Sequence, residues 1–130
     1  MNDRSAPWTP DAAGWARLLA TIDGRDADAF AAFITEDGEF RFGNAPPVVG
    51  RAAIRSAVAG FFAAIGGCRH TLARSWTGPG SAVGEGTVTY TRRDGSTLTL
   101  PFVNVFELGG GRIRSYRIYI DNGPLFNPPA

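Results

Sequence analysis

The chain contains no lysine; all thirteen of its basic residues are arginine. It has one cysteine, one histidine and one methionine. Each scarcity removes a class of function. A lone Cys68 cannot form an internal disulfide, which suits a reducing compartment. No HxH, CxxC or HExxH spacing occurs, so none of the common metal-site patterns is present and no metal is expected. No GxGxxG opens a helix after a strand; the glycine runs lie between strand-like segments, and no cofactor is expected. Thirteen cations against twelve anions leave a net charge of +1. That balance gives no field to steer the chain to nucleic acid or an anionic membrane, and no aromatic-and-basic platform for RNA or DNA is visible. No apolar run approaches the roughly 20 residues a spanning helix needs. The opening MNDRSAPWTPDAAGWARLLA lacks the basic start and apolar centre of a signal peptide. Cytoplasmic residence is the expectation.

What is present suffices for one domain. The 130 residues, 44% of them hydrophobic, allow a sizeable buried core, and no linker divides the chain. Residues 1–9 read as a loose arm in which Trp8 is a packing anchor. Thr9 or Asp11 is placed to cap a first helix, with Trp15, Leu18, Leu19 and Ile22 on one face and Gly24 at its end. Asp26 or Asp28 caps a second helix holding Phe30, Phe33 and Ile34. Residues 39–42 read as a short strand and residues 44–50 as a Pro-rich crossover. A third helix covers residues 51–65, with Ile54, Val58, Phe61, Phe62 and Ile65 apolar on one side. From Cys68 onward the period becomes two. Strands are expected over 68–76, 83–92, 97–108 and 112–121, joined by Gly-rich turns, one of them an Asp-Gly hairpin at Asp94-Gly95. Residues 122–130 form a Pro-rich tail. Helices followed by a meander predict an α+β fold: a cone-like curved antiparallel sheet with three N-terminal helices packed on its concave face.

Strand parity decides which side chains see the interior. On the second long strand the Gly84, Gly86, Val88 and Tyr90 face leaves space and is assigned inward. The Thr-rich opposite face suits solvent or a second subunit. On the third, Leu98, Leu100, Phe102, Asn104 and Phe106 point inward, which makes Asn104 a lone amide in an apolar wall. On the last, Tyr116, Ile118 and Ile120 share one parity, and Arg117, Tyr119 and Asp121 the other. On the first, His70, Leu72, Arg74 and Trp76 share a face.

The order of these elements carries G-x-D at Gly24-Arg25-Asp26 and P-x-x-G at Pro47-Val48-Val49-Gly50. V-F-E-L follows at residues 105–108 and G-x-I at Gly111-Arg112-Ile113. In this the chain resembles the nuclear transport factor 2-like superfamily, and within it the SnoaL-like branch, over about residues 10–125. The resemblance implies a single cone-shaped domain (residues 1–130) with a deep apolar pocket, often in a homodimer. Ketosteroid isomerases, limonene-epoxide hydrolases, scytalone-type dehydratases and polyketide cyclases share the fold. The epoxide-hydrolase pattern keeps Asn44 but loses its hydroxyl at Phe42 and its Arg and Asp at Gly86, Val88 and Ile118, so that hydrolysis is not expected. The isomerase pattern retains only a hydrogen-bond donor at Asn104; its base position falls near Arg41 or Phe42 and its Tyr near Leu18. The dehydratase pattern keeps a His at His70. Its Asp partner falls near Arg17, which leaves another carboxylate such as Asp121 to pair with the imidazole. Asp121 also resembles the cyclase acid/base.

Histidine is the side-chain type that exchanges protons near neutral pH. His70 or Asp121 is therefore the candidate proton shuttle, and Asn104 the candidate polarising group. Asn44, Tyr90, Phe102, Phe106, Val88, Trp15 and Ile118 are the expected ligand contacts. The bland alternatives are a structural histidine, an Asp-Asn-Gly turn at Asp121, an Asx turn at Asn44, and an aromatic filler at Tyr90. Arg41, Arg74, Arg92 and Arg117 are expected as rim or surface charges, and Cys68 as an inert thiol. The expected function is binding of a small, apolar, oxygen-bearing ligand of polyketide, terpenoid or steroid type. Cofactor-free isomerisation, cyclisation or dehydration would follow, in a homodimer formed through the outer sheet face. A non-catalytic binding or dimerisation module of the same fold is the alternative.

Overall fold

The computed structural model describes residues 7–126; the outer parts of the expected arm and tail, residues 1–6 and 127–130, lie outside them. Asp11 caps α1 (Ala12–Asp23), its Oδ1 accepting from the Gly14 N–H at 2.8 Å. Trp8 anchors the segment ahead of it: the indole N–H donates to the Gly14 carbonyl at 2.7 Å and the backbone N–H to the Gly111 carbonyl at 2.8 Å. Asp26 caps α2 (Ala27–Ala31). This helix is shorter than expected. Ile34, assigned from its spacing to α2, opens β1 (Ile34–Phe42) instead. The register of β1 shifts between Ile34 and Glu39, and Gly38 lies in this shift, where a Cβ would come within 2.4 Å of Ile34 Cγ2. β2 (Val48–Val49) and α3 (Arg51–Ala64) follow. The four long strands are β3 (Gly67–Gly78), β4 (Ser81–Thr91), β5 (Thr97–Gly109) and β6 (Arg112–Tyr119), and a last turn, α4 (Gly123–Phe126), closes the described chain.

One six-stranded sheet runs in the order β2-β1-β6-β5-β4-β3. It is mixed, which corrects the purely antiparallel expectation: β1 and β6 are parallel. The cause is topological. The chain crosses from β1 through α3 to the far edge at β3, and three hairpins then return it beside β1 in the same direction. The rest is the expected α+β cone.

The alternation on β4 and β5 is as read, with Ala82, Gly84, Gly86, Val88 and Tyr90 buried on β4 and Phe102, Asn104 and Phe106 on β5. β3 departs from its expected pattern. Its pairing with β4 shifts by one residue between Leu72 and Arg74, so Ala73 is an extra residue and the parity inverts there. His70 and Leu72 pair with Val88 and Gly86 and face inward, whereas Arg74 and Trp76 pair with Glu85 and Val83 on the outer face. Arg74 there forms an ion pair with Glu85 at 3.1 Å, and Trp76 is 50% exposed. Gly86 permits the bulge: a Cβ at that position would lie 2.0 Å from the Thr71 carbonyl oxygen.

Two apolar clusters fill the concave side. At the narrow end Trp15 stacks on Phe106 with ring centroids 5.0 Å apart, and Trp8 meets Trp15 edge-on at 5.5 Å. Nearer the other end Ile65, Val88, Tyr90, Phe102 and Leu125 pack together. Arg92, expected at the rim, ties this end shut by donating from Nε to the Leu125 carbonyl and from a terminal nitrogen to the Pro124 carbonyl, both at 2.9 Å. Among the described residues no helix is long and apolar enough to cross a membrane.

Candidate active site

Between the clusters the sheet and helices leave a cavity of about 210 Å³. Its wall is largely hydrocarbon and aromatic, contributed by Phe30, Phe40, Phe61, Phe62 and Phe102 among others. The polar side chains that reach it are His70, Tyr90, Asn104 and Tyr116.

α1 carries the carboxylate that organises this wall. Asp23, its last residue, lies over β3, where Oδ1 accepts from His70 Nδ1 at 2.6 Å. The His70 backbone N–H donates to both Asp23 oxygens, at 3.1 and 3.0 Å. The carboxylate therefore fixes both the backbone and the ring of one residue. A hydrogen on Nδ1 directed at a carboxylate leaves Nε2 with its lone pair free. The imidazole is 9% exposed, against 29% for Asp23, and its ring meets Phe102 edge-on with centroids 5.3 Å apart.

Cys68, two residues before His70 on the same strand, donates from its thiol to the Ile22 carbonyl at 3.3 Å and lies 3.9 Å from Asp23 Oδ1. Burial first, and then the negative charge of Asp23, pushes this thiol up to about 12; Arg25 opposes the shift. The thiol is thus a hydrogen-bond donor and a poor nucleophile. Asp23, Cys68 and His70 also form a group whose potential metal-ligating atoms all lie within 4.8 Å of one another. Motif spacing cannot reveal such a group, because its members come from two elements. As arranged it does not fit a cation: the 2.6 Å Nδ1–Oδ1 contact is closed by a shared hydrogen, the Asp23 oxygens already accept a backbone N–H, and the thiol keeps its proton.

The Cys68 shift has a measurable consequence. Above pH ~9 an unfolded thiol releases a proton that the folded one retains, so the unfolded chain binds fewer protons and stability falls as pH rises. Buried Tyr90 and Tyr116, whose hydroxyls burial pushes above their ordinary range, extend the loss to higher pH. Between pH 8 and 10 the wild type should lose about 1 kcal/mol more than Cys68→Ala, after a discount for the thiol's partial exposure. Urea unfolding at the two pH values measures this; equal losses would mean that the thiol titrates normally in the fold.

Six of the residues expected at the site line the cavity: His70, Asn104, Tyr90, Phe102, Val88 and Ile118. Four do not. Trp15 and Phe106 face inward but belong to the packed narrow end; parity predicts their face and not their depth. Asn44 is exposed in the loop whose next residues, Ala45 and Pro46, reach the cavity. Asp121 is exposed outside it, and its Oδ1 accepts from the Gly123 N–H at 3.3 Å. It makes the turn allowed by its Asp-Asn-Gly context and is no partner of His70. Asp23 and Tyr116 were missed. For Asp23 a signal existed: it stands four residues after buried Leu19, so it shares a face of α1 with a core residue.

Asn104 is 2% exposed and, among the described residues, its Oδ1 has no partner; nor does the Tyr116 hydroxyl, in a fully buried side chain. The Trp15 indole N–H is likewise unpaired. The site thus combines an oriented imidazole with an apolar chamber whose wall includes the side chains of Tyr90, Asn104 and Tyr116.

Solved structures share this architecture at low identity. TerC, co-crystallised with polyporic acid, is 21% identical, with 92% of this chain and 97% of that one covered and a TM-score of 0.77. A hypothetical protein with a ketosteroid isomerase-like fold from Catenulispora acidiphila DSM 44928, in complex with trimethylamine, is 17% identical over 81% of this chain and 82% of that one, with a TM-score of 0.75. An LEH-like epoxide hydrolase from M. tuberculosis is 18% identical over 87% and 84%, with a TM-score of 0.73. These likenesses concern the fold. No curated protein matches by sequence. A family model described as a SnoaL-like domain matches residues 15–116. With the cone and its chamber in place, this match over most of the chain means that the protein belongs to the SnoaL-like domain family.

Proposed function

We propose that the protein is a cofactor-free acid/base catalyst acting on a compact, mainly apolar, oxygen-bearing ring compound. The observation that carries this reading is the 2.6 Å Asp23–His70 contact behind the wall of an otherwise apolar cavity. Asp23 holds the tautomer and offsets the charge of the imidazolium that forms, while Nε2 takes a proton from the ligand and returns it elsewhere. Return to another carbon is an isomerisation or accompanies a cyclisation; return to a departing hydroxyl is a dehydration. Asn104 orients the ligand oxygen, and the buried tyrosines hold their protons and serve as donors.

Size narrows the ligand. A cavity of about 150 Å³ takes benzene, so about 210 Å³ encloses roughly eight to ten non-hydrogen atoms on the same scale. One ring of a polyketide or terpenoid is enclosed; a larger ligand would extend from the cavity mouth beside Ala45 and Pro46. The small molecules bound by two structural relatives, polyporic acid and trimethylamine, support the binding part of this reading. The dimer belongs to the same proposal. Trp76 and Tyr119 are 50% and 59% exposed, on the outer face with Val83 and Val103, where a second copy would cover them.

A screen of monocyclic ketones, enones and alcohols for stabilisation and then for turnover tests the proposal. His70→Ala should abolish turnover while the protein stays folded, and Asp121→Asn should leave it unchanged. Turnover that survives His70→Ala sinks the acid/base role, and binding without turnover across the screen favours the non-catalytic module. Sedimentation of the same samples as monomers at micromolar concentration would remove the dimer.

A further inference from the structure

We propose that Arg25 is a positioning residue for the candidate site: its guanidinium ties the end of α1 to the end of α3 and so holds the Asp23 carboxylate at the His70 ring. The inference rests on the reading of Asp23 and His70 as the working pair and names what keeps them in contact.

The backbone gives the first indication. Among the described residues Arg25 is the one residue other than glycine with a positive φ, 53°. α1 ends in two reverse bonds, from the Arg25 N–H to the Ile22 carbonyl and from the Asp26 N–H to the Thr21 carbonyl, both at 2.9 Å. In this helix ending the residue after the cap turns left-handed, and glycine is its usual occupant. Here the glycine stands one position earlier: Gly24, the cap, is right-handed at φ −82° and ψ −2°. An L-residue in the left-handed region costs about 1 kcal/mol or more relative to glycine. The chain thus places a long side chain where the backbone favours none.

That side chain has a use. Arg25 Nη1 donates to the Ile65 carbonyl at 3.1 Å, in a partly buried bond between residues 40 apart. Ile65 caps α3, and β3 begins two residues later. Two further links join the same segments: the Cys68 thiol donates to the Ile22 carbonyl, and Asp23 accepts from the backbone and ring of His70. From Ile65 through Cys68 to His70, every partner lies within residues 22–25. The Gly66 N–H, bonded to the Thr91 carbonyl at 2.8 Å, fixes the entry of β3 to β4; the Arg25 bond fixes that entry to α1. Hydrogen bonds weaken steeply with misalignment, so a small swing of the α1 end is felt at the 2.6 Å Nδ1–Oδ1 contact before it is felt by the fold.

Charge supplies a second link. The Arg25 guanidinium opposes the upward shift that burial and Asp23 impose on the Cys68 thiol, so its field reaches the cluster that Asp23 organises. It adds positive charge beside a carboxylate that must stay ionised to offset an imidazolium.

Arg25→Gly separates this role from folding. It removes the tether but relieves the backbone, so its melting temperature should stay within about 4 °C of the wild type. Arg25→Asn, which also accepts the left-handed conformation but is too short to bridge to Ile65, is the second variant. In both, the downfield NMR signal of the imidazole Nδ1 proton should move upfield and exchange with water about threefold faster or more. Return of the signal toward its wild-type position in Arg25→Lys, which keeps the charge and much of the reach, supports the tether. Where a substrate is turned over, kcat should fall about three- to tenfold with KM within about twofold, because Arg25 does not line the cavity. A wild-type signal position and exchange rate in both Arg25→Gly and Arg25→Asn overturns the proposal. The signal is read without substrate, so its loss in these variants supports the positioning role even if no compound is turned over, and the catalytic reading then falls alone. Absence of a downfield signal in the wild type overturns both, since the short Nδ1–Oδ1 bond would not exist in solution.

Discussion

Trp15→Ala should lower the free energy of unfolding by about 3–5 kcal/mol, a large share of the roughly 5–15 kcal/mol a domain of this kind has to lose. Trp15 is 1% exposed, stacks on Phe106, meets Trp8 edge-on, and overlies Gly84 so closely that a Cβ there would come within 2.6 Å of the indole. An alanine leaves a void that three surrounding elements cannot all close: α1 is held by its Asp11 cap, β4 and β5 by their ladder. Urea unfolding followed by circular dichroism gives the number, and a loss below ~1 kcal/mol would mean that the narrow end repacks freely. The same variant separates packing from recognition. Trp15 is not part of the cavity wall, so toluene affinity, measured where the variant is folded, should match the wild type; a tenfold change would return Trp15 to the ligand-binding set.

Asp23→Asn should cut turnover by about 10²–10⁴-fold while preserving the fold. The amide has nearly the carboxylate's shape and its oxygen can still accept from Nδ1. It has no negative charge to offset an imidazolium, and its NH2 in place of the second oxygen faces the His70 backbone N–H, donor against donor. An NMR signal for a strongly hydrogen-bonded imidazole N–H should be present in the wild type and lost or moved far upfield in the variant. Turnover reduced less than threefold, with that signal altered, would mean that His70 works without its carboxylate or not at all. The effect should fall on kcat more than on KM, because Asp23 does not line the cavity.

The parts of this site legible from sequence are those governed by local periodicity. Alternation along β4 and β5 is sufficient to turn Val88, Tyr90, Phe102 and Asn104 inward, because those strands pair without a break. The turn residues around Asp94-Gly95 and Gly110-Gly111 and the caps at Asp11 and Asp26 follow from their own chemistry. What stayed hidden depends on how one element lies over another. Nothing near Asp23 indicates that the end of α1 crosses β3 at His70. The pattern that led to Asp121 is a good turn sequence, and a turn is what it makes. Trp15 and Phe106 have the parity of cavity residues, but only packing shows that they fill the narrow end. The parallel contact of β1 with β6 is likewise a property of the whole chain path. The bulge at Ala73 has no glycine or proline beside it to announce it; the permissive residue is Gly86, across the ladder.

That extra residue divides β3 between two audiences. Up to Leu72 the strand gives its larger side chains to the guest chamber, and beyond Ala73 the large ones, Arg74 and Trp76, go to the convex exterior. Changes at Arg74 or Trp76 can therefore remodel the outside of the shell without reaching the imidazole. Excising Ala73 would restore one parity along the whole strand, turning an indole and a guanidinium to the inner face in place of Ser75 and Thr77, which now pair with Gly84 and Ala82 there.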